Sequence, residues 1–437
     1  MPLRYRLEQY FDFQKLGADW RTEILAGLTT FMTMAYIVFV NPAILHETGM
    51  PLAAVTAATC IAAAVGSILM GGYAKYPIAM APGMGLNAYF TYVVVKGMGV
   101  PWQAALGAVF LSGVAFLLLT LLGVRQLILR AIPFELYSAV AAGVGLFIAL
   151  IGFRNCGIIV PDPSTTVTLG NLRAPGTALA IFGLLLIAAL MAWRVRAAML
   201  IGILATTAIG VATGVARWSP QTYRLSDLSA TAFQLDVRST LRLGFLEIVF
   251  VFLFIDLFDN IGTLLAVGKK ANLFDHARRI PRVDRILLAD SVATITSSLT
   301  GTSTVVSYIE SAAGVAAGGR TGVTAIITGL LFIAALFIAP VVGAIPAAAT
   351  APALIIVGSL MMHVVSEIDW QDPEAGVPAF LTMMAIPLTF SIANGLAFGF
   401  TAYALLKLLR GKWRQVNWLV YALAALFIAR FVFLAKG

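Results

Sequence analysis

Long, nearly continuous apolar runs dominate the chain, separated by short clusters of charged and turn-forming residues. Runs such as Val109–Leu122 and Leu184–Ala192 show no residue-by-residue alternation of polar and apolar positions. A membrane β-barrel needs that alternation, whereas a lipid-buried helix needs about 20 consecutive apolar residues. In the first half the pattern predicts spans near 22–41, 52–71, 77–95, 102–122, 130–152, 175–193 and 197–216. In the second half it predicts spans near 243–267, 283–299, 304–317, 321–340, 346–364, 376–392 and 394–409. Residues 1–21 read as a cytoplasmic amphipathic lead-in, and 217–242 as an extracytoplasmic connection between the halves. Within the C-terminal segment 410–437, the apolar run 416–434 either spans once more or lies along the interface.

Seven spans before the connection and seven after it place the halves in the membrane with opposite orientations. The expected fold is therefore an all-α polytopic membrane protein, with about fourteen transmembrane segments in a 7+7 inverted repeat. Superposing the halves sets the third span against the tenth, and both are irregular. One opens Ala81-Pro82-Gly83-Met84-Gly85-Leu86-Asn87, and the other Gly301-Thr302-Ser303-Thr304-Val305-Val306-Ser307-Tyr308. Interrupted segments at matching places in two halves point to a binding site near the bilayer midplane. Each is expected to begin as a short strand and continue as a half-helix.

Composition and charge narrow the class further. The 437 residues are 60% hydrophobic and only 11% charged, against roughly 25% charged in a soluble domain. The net charge of +9 raises the question of a nucleic-acid partner. No compact basic domain lies outside the spans, so none is expected. Most basic residues instead fall in loops on one side: Arg4, Arg6, Lys15 and Arg21 before the first span, Lys75 after the second, Arg125 and Arg130 after the fourth, Arg194 and Arg196 after the sixth. The eighth, tenth and fourteenth spans are followed by basic residues in the same way. This bias predicts a cytoplasmic N-terminus in a cell inner membrane. Lys96, Arg154, Arg173 and the connection 217–242, which holds Arg217, Arg224, Arg238 and Arg242, are exceptions, although long loops obey the rule poorly. Cys60 and Cys156 have neither metal nor disulfide spacing, and no metal or organic cofactor is expected.

Acidic residues inside the spans are few and clustered. Asp256, Asp259, Asn260 and Thr263 recur at i, i+3, i+4 and i+7 and share one face of the eighth span. Glu310 follows Tyr308 in the tenth. A carboxylate at the bilayer centre costs about 2.5–3.5 kcal/mol even on mild insertion scales, so these acids imply a cavity filled by water or ligand. A carboxyl group able to take up and release a proton is also what coupling to H+ requires. Asn87, placed after the Gly-Met-Gly break, is a candidate ligand contact, and Thr33 a further one. Glu247 lies near a span end and reads as an interfacial anchor. His46, His276 and His363 lie in loops or at span ends and are assigned no chemistry.

Several of these stretches resemble one family. Thr29-Thr30-Phe31-Met32-Thr33-Met34-Ala35-Tyr36-Ile37, Asn41-Pro42, Ala81–Ala88, Asp256–Thr263 and Gly301–Gly322 are similar to signatures of the AzgA-like purine permeases, a branch of the nucleobase–cation symporter 2 family. The resemblance covers nearly the whole chain from Phe11 to about Leu409. It implies a core domain of 22–122 and 243–340, a gate domain of 123–216 and 341–409, and symport of a purine nucleobase with a proton. A homodimer embedded in membrane lipid is also implied. By position, Asn87, Asp256 and Glu310 match the family's substrate contacts, and Asp259 the acid that serves the proton, with Glu310 as a second coupling candidate. Asp rather than Asn at position 256 is similar to the guanine/hypoxanthine type rather than the adenine type. Guanine and hypoxanthine present an N1–H donor to a carboxylate, whereas adenine N1 is an acceptor.

Two other readings compete. The same fold could carry uracil, xanthine or an inorganic anion, although an anion carrier calls for basic groups or bare helix N-termini at its centre. An intramembrane aspartyl protease also uses paired acids, but it needs Gly-x-Gly-Asp on a separate span, and Asp256 and Asp259 share one helix.

Overall fold

A computed structural model describes residues 3–123, 132–219, 225–242, 246–270 and 281–433. The basic residues Arg125, Arg130, Arg224, Arg278 and Arg279, and His276, lie outside the described residues. The elements are helices, apart from four short strands. Among the described residues, seven helices are long and apolar enough to cross a membrane. Polarity is distributed inside out. Asn41, Thr56, Thr59, Ser67, Asn87, Asp256 and Thr304 are fully buried, while Leu122, Trp193, Phe337 and Leu409 are 74–89% exposed. An apolar surface of this extent around a polar interior requires lipid as its solvent.

Observed boundaries follow the hydrophobic pattern closely, and the irregularities are informative. The first span is two helices, Trp20–Met34 and Ile37–His46, separated at Ala35 and Tyr36. The backbone tightens there to i→i+3 bonds, Val38 N–H to Ala35 O and Phe39 N–H to Tyr36 O. Pro42 adds a missing donor one turn later. The second and third spans end in π-helical turns, Met70–Ala74 and Tyr89–Val95. Trp418–Phe433 is a helix of 16 residues, about 24 Å long at 1.5 Å per residue and short of the ~30 Å hydrocarbon core. A small hairpin outside the spans pairs β2 (Ile159–Asp162) with β3 (Thr166–Leu169).

The predicted strand–half-helix breaks are present in both halves. β1 (Met80–Pro82) leads into Met84–Ala88, and β4 (Val305–Ser307) leads towards Ser311–Ala316. The two strands pair antiparallel, with Ala81 opposite Val306. Gly301, at φ +96°, ends the helix Val283–Thr300 in a conformation that excludes most other residues.

A second symmetry confirms the inverted repeat. The lead-in helices Leu3–Tyr10 and Phe13–Leu16 dock on the end of the second span and the start of the eleventh. Tyr10 donates to Gly72 O at 2.7 Å, and Phe11 and Phe13 pack on Val323. The connection before the eighth span docks on the equivalent pair in the other half. Phe233 N–H donates to Leu299 O at the end of the ninth span, and Thr240 donates to Ala104 O at the start of the fourth. Thus 225–242 mirrors the lead-in instead of forming an open loop. Its helix Val237–Arg242 is capped by Asp236, whose carboxyl is held below the usual range by the Ser239 hydroxyl and backbone N–H.

Packing divides the chain into two compact units, Met1–Leu117 with Gly152–Ile356 and Leu118–Ile151 with Val357–Gly437. The second unit is built on Ala139, Ala142, Ile368, Ala379 and Met383, and its buried Glu374 is gripped by Lys407, Arg410 and Lys412. The first unit holds both broken spans. It also holds the sixth and seventh spans, Pro175–Ala192 and Ala198–Ala212, which the resemblance assigns to a gate. Within it, the second and eleventh spans touch backbone to backbone. A Cβ on Gly322 would lie 1.9 Å from Gly71 O. Gly322→Val is therefore expected to cost about 1–3 kcal/mol through overpacking and to lower the thermal midpoint in detergent by several degrees. Gly72→Ala, where a Cβ meets open space, is expected to leave the midpoint unchanged.

Candidate functional site

A two-stranded ribbon inside a membrane protein leaves backbone groups unpaired on its outer edges, and each needs a partner. Here neighbouring spans supply them as side chains. Ser67 of the second span accepts from Met80 N–H and donates to Met80 O, at 2.9 and 3.0 Å. Asn260 of the eighth accepts from Ser307 N–H at 2.9 Å, and Thr294 of the ninth donates to Val305 O at 3.3 Å. The irregular backbone is thereby fixed from both sides.

Around this ribbon the polar residues form two enclosed networks. The first joins the first, second, third and tenth spans. Asn41 donates to Thr59 at 2.7 Å and to Thr302 at 3.1 Å. Asn87 donates to Asn41 Oδ1 and accepts from Ser303. Asn87 is thus fully buried with both ends of its amide engaged. The second network joins the eighth and ninth spans. Asn260 Nδ2 donates to Asp256 Oδ1 and Asp290 Oδ1, each at 2.7 Å. Asp256 and Asp290 are at most 1% exposed.

A third group is less enclosed. Tyr36, at the break in the first span, donates to Glu310 Oε1 at 2.9 Å. Tyr308 donates to Pro82 O at 2.5 Å, which pins its ring against the break in the third span. Glu310 and Asp259 are both within Coulombic reach of Tyr308, and both are half-buried. Glu310 Oε2 is buried and has no hydrogen-bond partner among the described residues. This carboxylate oxygen is an acceptor that the centre can offer.

The candidates named from the sequence are thus sorted by depth. Asp256 and Asn260 join the network that reaches the ninth span, whereas Asp259 is half-buried within Coulombic reach of Tyr308. Thr33 directs its hydroxyl to Thr30 O at 2.7 Å within its own helix. Thr263 is half-buried one turn beyond Asn260, and among the described residues the network does not reach it. Sequence reasoning missed Asp290, Asn41 and Tyr36 as parts of this centre. Asp290 carried the same signal as the other acids, an ionisable residue within an apolar span. Glu23 was missed too. This fully buried carboxylate of the first span accepts from Arg320, Thr321 and Thr324 N–H and from the Thr324 hydroxyl, capping the eleventh span at 2.6–3.2 Å. Two exceptions in the positive-side pattern lie outside the centre. Lys96 pairs with Glu47, which also accepts from Tyr92 at 2.7 Å and Asn155 at 3.3 Å. Arg154 lies close to Tyr92.

An inverted repeat with paired broken spans around an enclosed polar centre defines a membrane transporter. The fold is shared with the transmembrane domain of a cyanobacterial bicarbonate transporter, BicA, at a TM-score of 0.63 and 17% identity over 85% of this chain and 97% of that one. Residues 21–398 match the family model of the permeases described as Xan_ur_permease, and the chain belongs to this permease family. It is 44% identical over 440 residues to the guanine/hypoxanthine permease PbuG of Bacillus subtilis (strain 168), covering 98% of this chain and 100% of that protein. It is 42% identical over 428 residues to the adenine permease AdeP of Escherichia coli (strain K12), covering 98% of this chain and 96% of that one. Its relatives are permeases, and it is a transporter, not an enzyme.

Proposed function

We propose that this protein is a secondary active transporter that takes up purine nucleobases with protons across the cytoplasmic membrane, its N-terminus on the cytoplasmic side. Guanine and hypoxanthine are the favoured substrates. The relatives support a nucleobase, but identities of 42% and 44% do not separate adenine from guanine and hypoxanthine. The preference rests on site chemistry. The observation that carries the reading is the buried Glu310 Oε2, two residues after Tyr308 and without a hydrogen-bond partner among the described residues. A carboxylate oxygen there accepts an N–H from a planar base, and the pinned tyrosine ring offers its face. Asp256 and Asn87 contribute once a bound base replaces one of their present partners. Asp259 serves the coupling proton. Residues 22–122 with 243–340 form the core that carries the site, and 123–216 with 341–409 form the gate against which it moves. The functional unit is a homodimer in the lipid bilayer.

The test is uptake of labelled hypoxanthine, guanine, adenine and uracil into proteoliposomes. An inward proton gradient is expected to drive accumulation of guanine and hypoxanthine, with adenine and uracil well behind. Removal of sodium at a constant pH gradient is expected to change nothing. Uptake that collapses without sodium overturns the proton reading, and preferential uptake of uracil overturns the purine reading.

A further inference from the structure

Tyr36 is assigned no role by the reading above, yet it is hydrogen-bonded to the carboxylate on which that reading depends. It is 1% exposed, sits at the break of the first span, and spends its hydroxyl on Glu310 Oε1 at 2.9 Å. Glu310 has two oxygens in different circumstances. Oε1 is held by Tyr36, while Oε2 is buried with no partner among the described residues. A free carboxylate can rotate about its terminal bond and present either oxygen in many directions. One held at a single oxygen by a buried phenol presents the other along a fixed line.

The supporting packing is equally specific. The first span lies so close to the half-helix Ser311–Ala316 that a Cβ on Gly314 would sit 2.1 Å from Thr30 Oγ1 and 2.7 Å from Ala26 O. That close approach carries the break at Ala35 and Tyr36 towards Glu310, which stands at the N-cap position of the same half-helix without a side-chain capping bond. Tyr308, two residues before Glu310, is fixed by its own bond to Pro82 O. The first and third spans thus each hold one side chain of the tenth. They do so from two separate interruptions in the helical backbone.

From this geometry we infer that Tyr36 is a positioning residue: its phenol holds Glu310 so that Oε2 faces the substrate as a hydrogen-bond acceptor. The inference rests on Glu310 being the substrate contact proposed above. It adds that affinity for a base bearing a ring N–H depends on a residue that does not itself touch the base. Removing the phenol oxygen leaves the carboxylate free to turn and restores a rotational cost on every binding event.

The test is a double-mutant cycle on purified protein, with Tyr36→Phe, Glu310→Gln and the pair. Tyr36→Phe is expected to raise the dissociation constant for hypoxanthine about tenfold, the scale of one hydrogen bond to a charged group. In the Glu310→Gln background the same change is expected to cost nothing further and to recover part of the lost affinity, because a glutamine no longer held by the phenol can turn its carbonyl oxygen to the base. In uptake, Tyr36→Phe is expected to raise KM by a similar factor and leave the maximal rate per transporter within about twofold, as for lost uniform binding. That KM split can also be read in whole cells, normalised to surface protein, if the variant resists purification. Equal losses in the wild-type and Glu310→Gln backgrounds overturn the inference and leave Tyr36 a packing residue. So does a Tyr36→Phe affinity within twofold of wild type while Glu310→Gln binds weakly. If Glu310→Gln itself binds normally, the placement of substrate on Glu310 fails first, and the inference falls with it.

Discussion

Glu310→Gln is expected to weaken hypoxanthine and guanine binding roughly 30- to 100-fold, the largest single effect in the site. The substitution keeps size and shape but breaks the symmetry of the carboxylate. Tyr36 donates to Oε1, so the glutamine must turn its carbonyl oxygen to that phenol to keep the bond. Its amide nitrogen then stands where Oε2 stood. A donor meets the ring N–H of the base, and an acceptor is lost where the charge-assisted bond was made. Hydrogen bonds to charged groups contribute about 1.5–3 kcal/mol, and each 1.4 kcal/mol is a factor of ten in affinity. Equilibrium binding of labelled hypoxanthine to folded protein measures it directly, with the thermal midpoint as the control for folding. Unchanged affinity removes the site from between the third, eighth and tenth spans.

Much of this centre was legible because a membrane makes polar residues expensive. The two broken spans stood out as Pro, Gly, Ser and Thr in otherwise apolar runs, and β1 and β4 lie where those runs break. Asp256, Asp259 and Glu310 stood out as charges in the same setting. The partners were harder to see. Asn41 and Tyr36 lie within a span whose pattern reads as continuous, and the break at Ala35 and Tyr36 carries neither glycine nor proline. Its cause is tertiary, in the packing of the first span on Gly314 and the bond to Glu310. Glu23, at the start of the first predicted span, drew no reading from the sequence, yet it caps a helix some 300 positions away in the chain. Helical periodicity placed Asp256 and Asp259 on one face but could not say which neighbour each would meet. The connection 217–242 read as a loop because its helix Val237–Arg242 is six residues long and polar.

Asp256 and Asp259 are expected to fail in different ways, although they sit one turn apart. Asp256 is wholly enclosed, bonded through Asn260 to the ninth span and to the strand edge at Ser307. Asp259 is half-buried and within Coulombic reach of Tyr308. A group that holds the base must keep its state while the base is bound. A group that carries the proton must change state within each cycle and therefore needs access to it. The more enclosed acid suits the first task and the less enclosed one the second. Asp256→Asn retains an oxygen for Asn260 and adds an amide donor. It is expected to lower guanine and hypoxanthine affinity at least tenfold, on the scale of one hydrogen bond to a charged group, and to admit adenine, whose N1 accepts. Asp259→Asn is expected to leave equilibrium binding within about threefold, the usual scatter of individual contributions. Accumulation in response to an imposed pH gradient should nevertheless be abolished, because the amide cannot take up the proton. Binding and gradient-driven uptake measured separately on both variants decide between the roles. If Asp259→Asn still accumulates hypoxanthine, the proton moves through another acid. Glu310 is then the leading carrier, since its Oε2 is buried without a hydrogen-bond partner among the described residues.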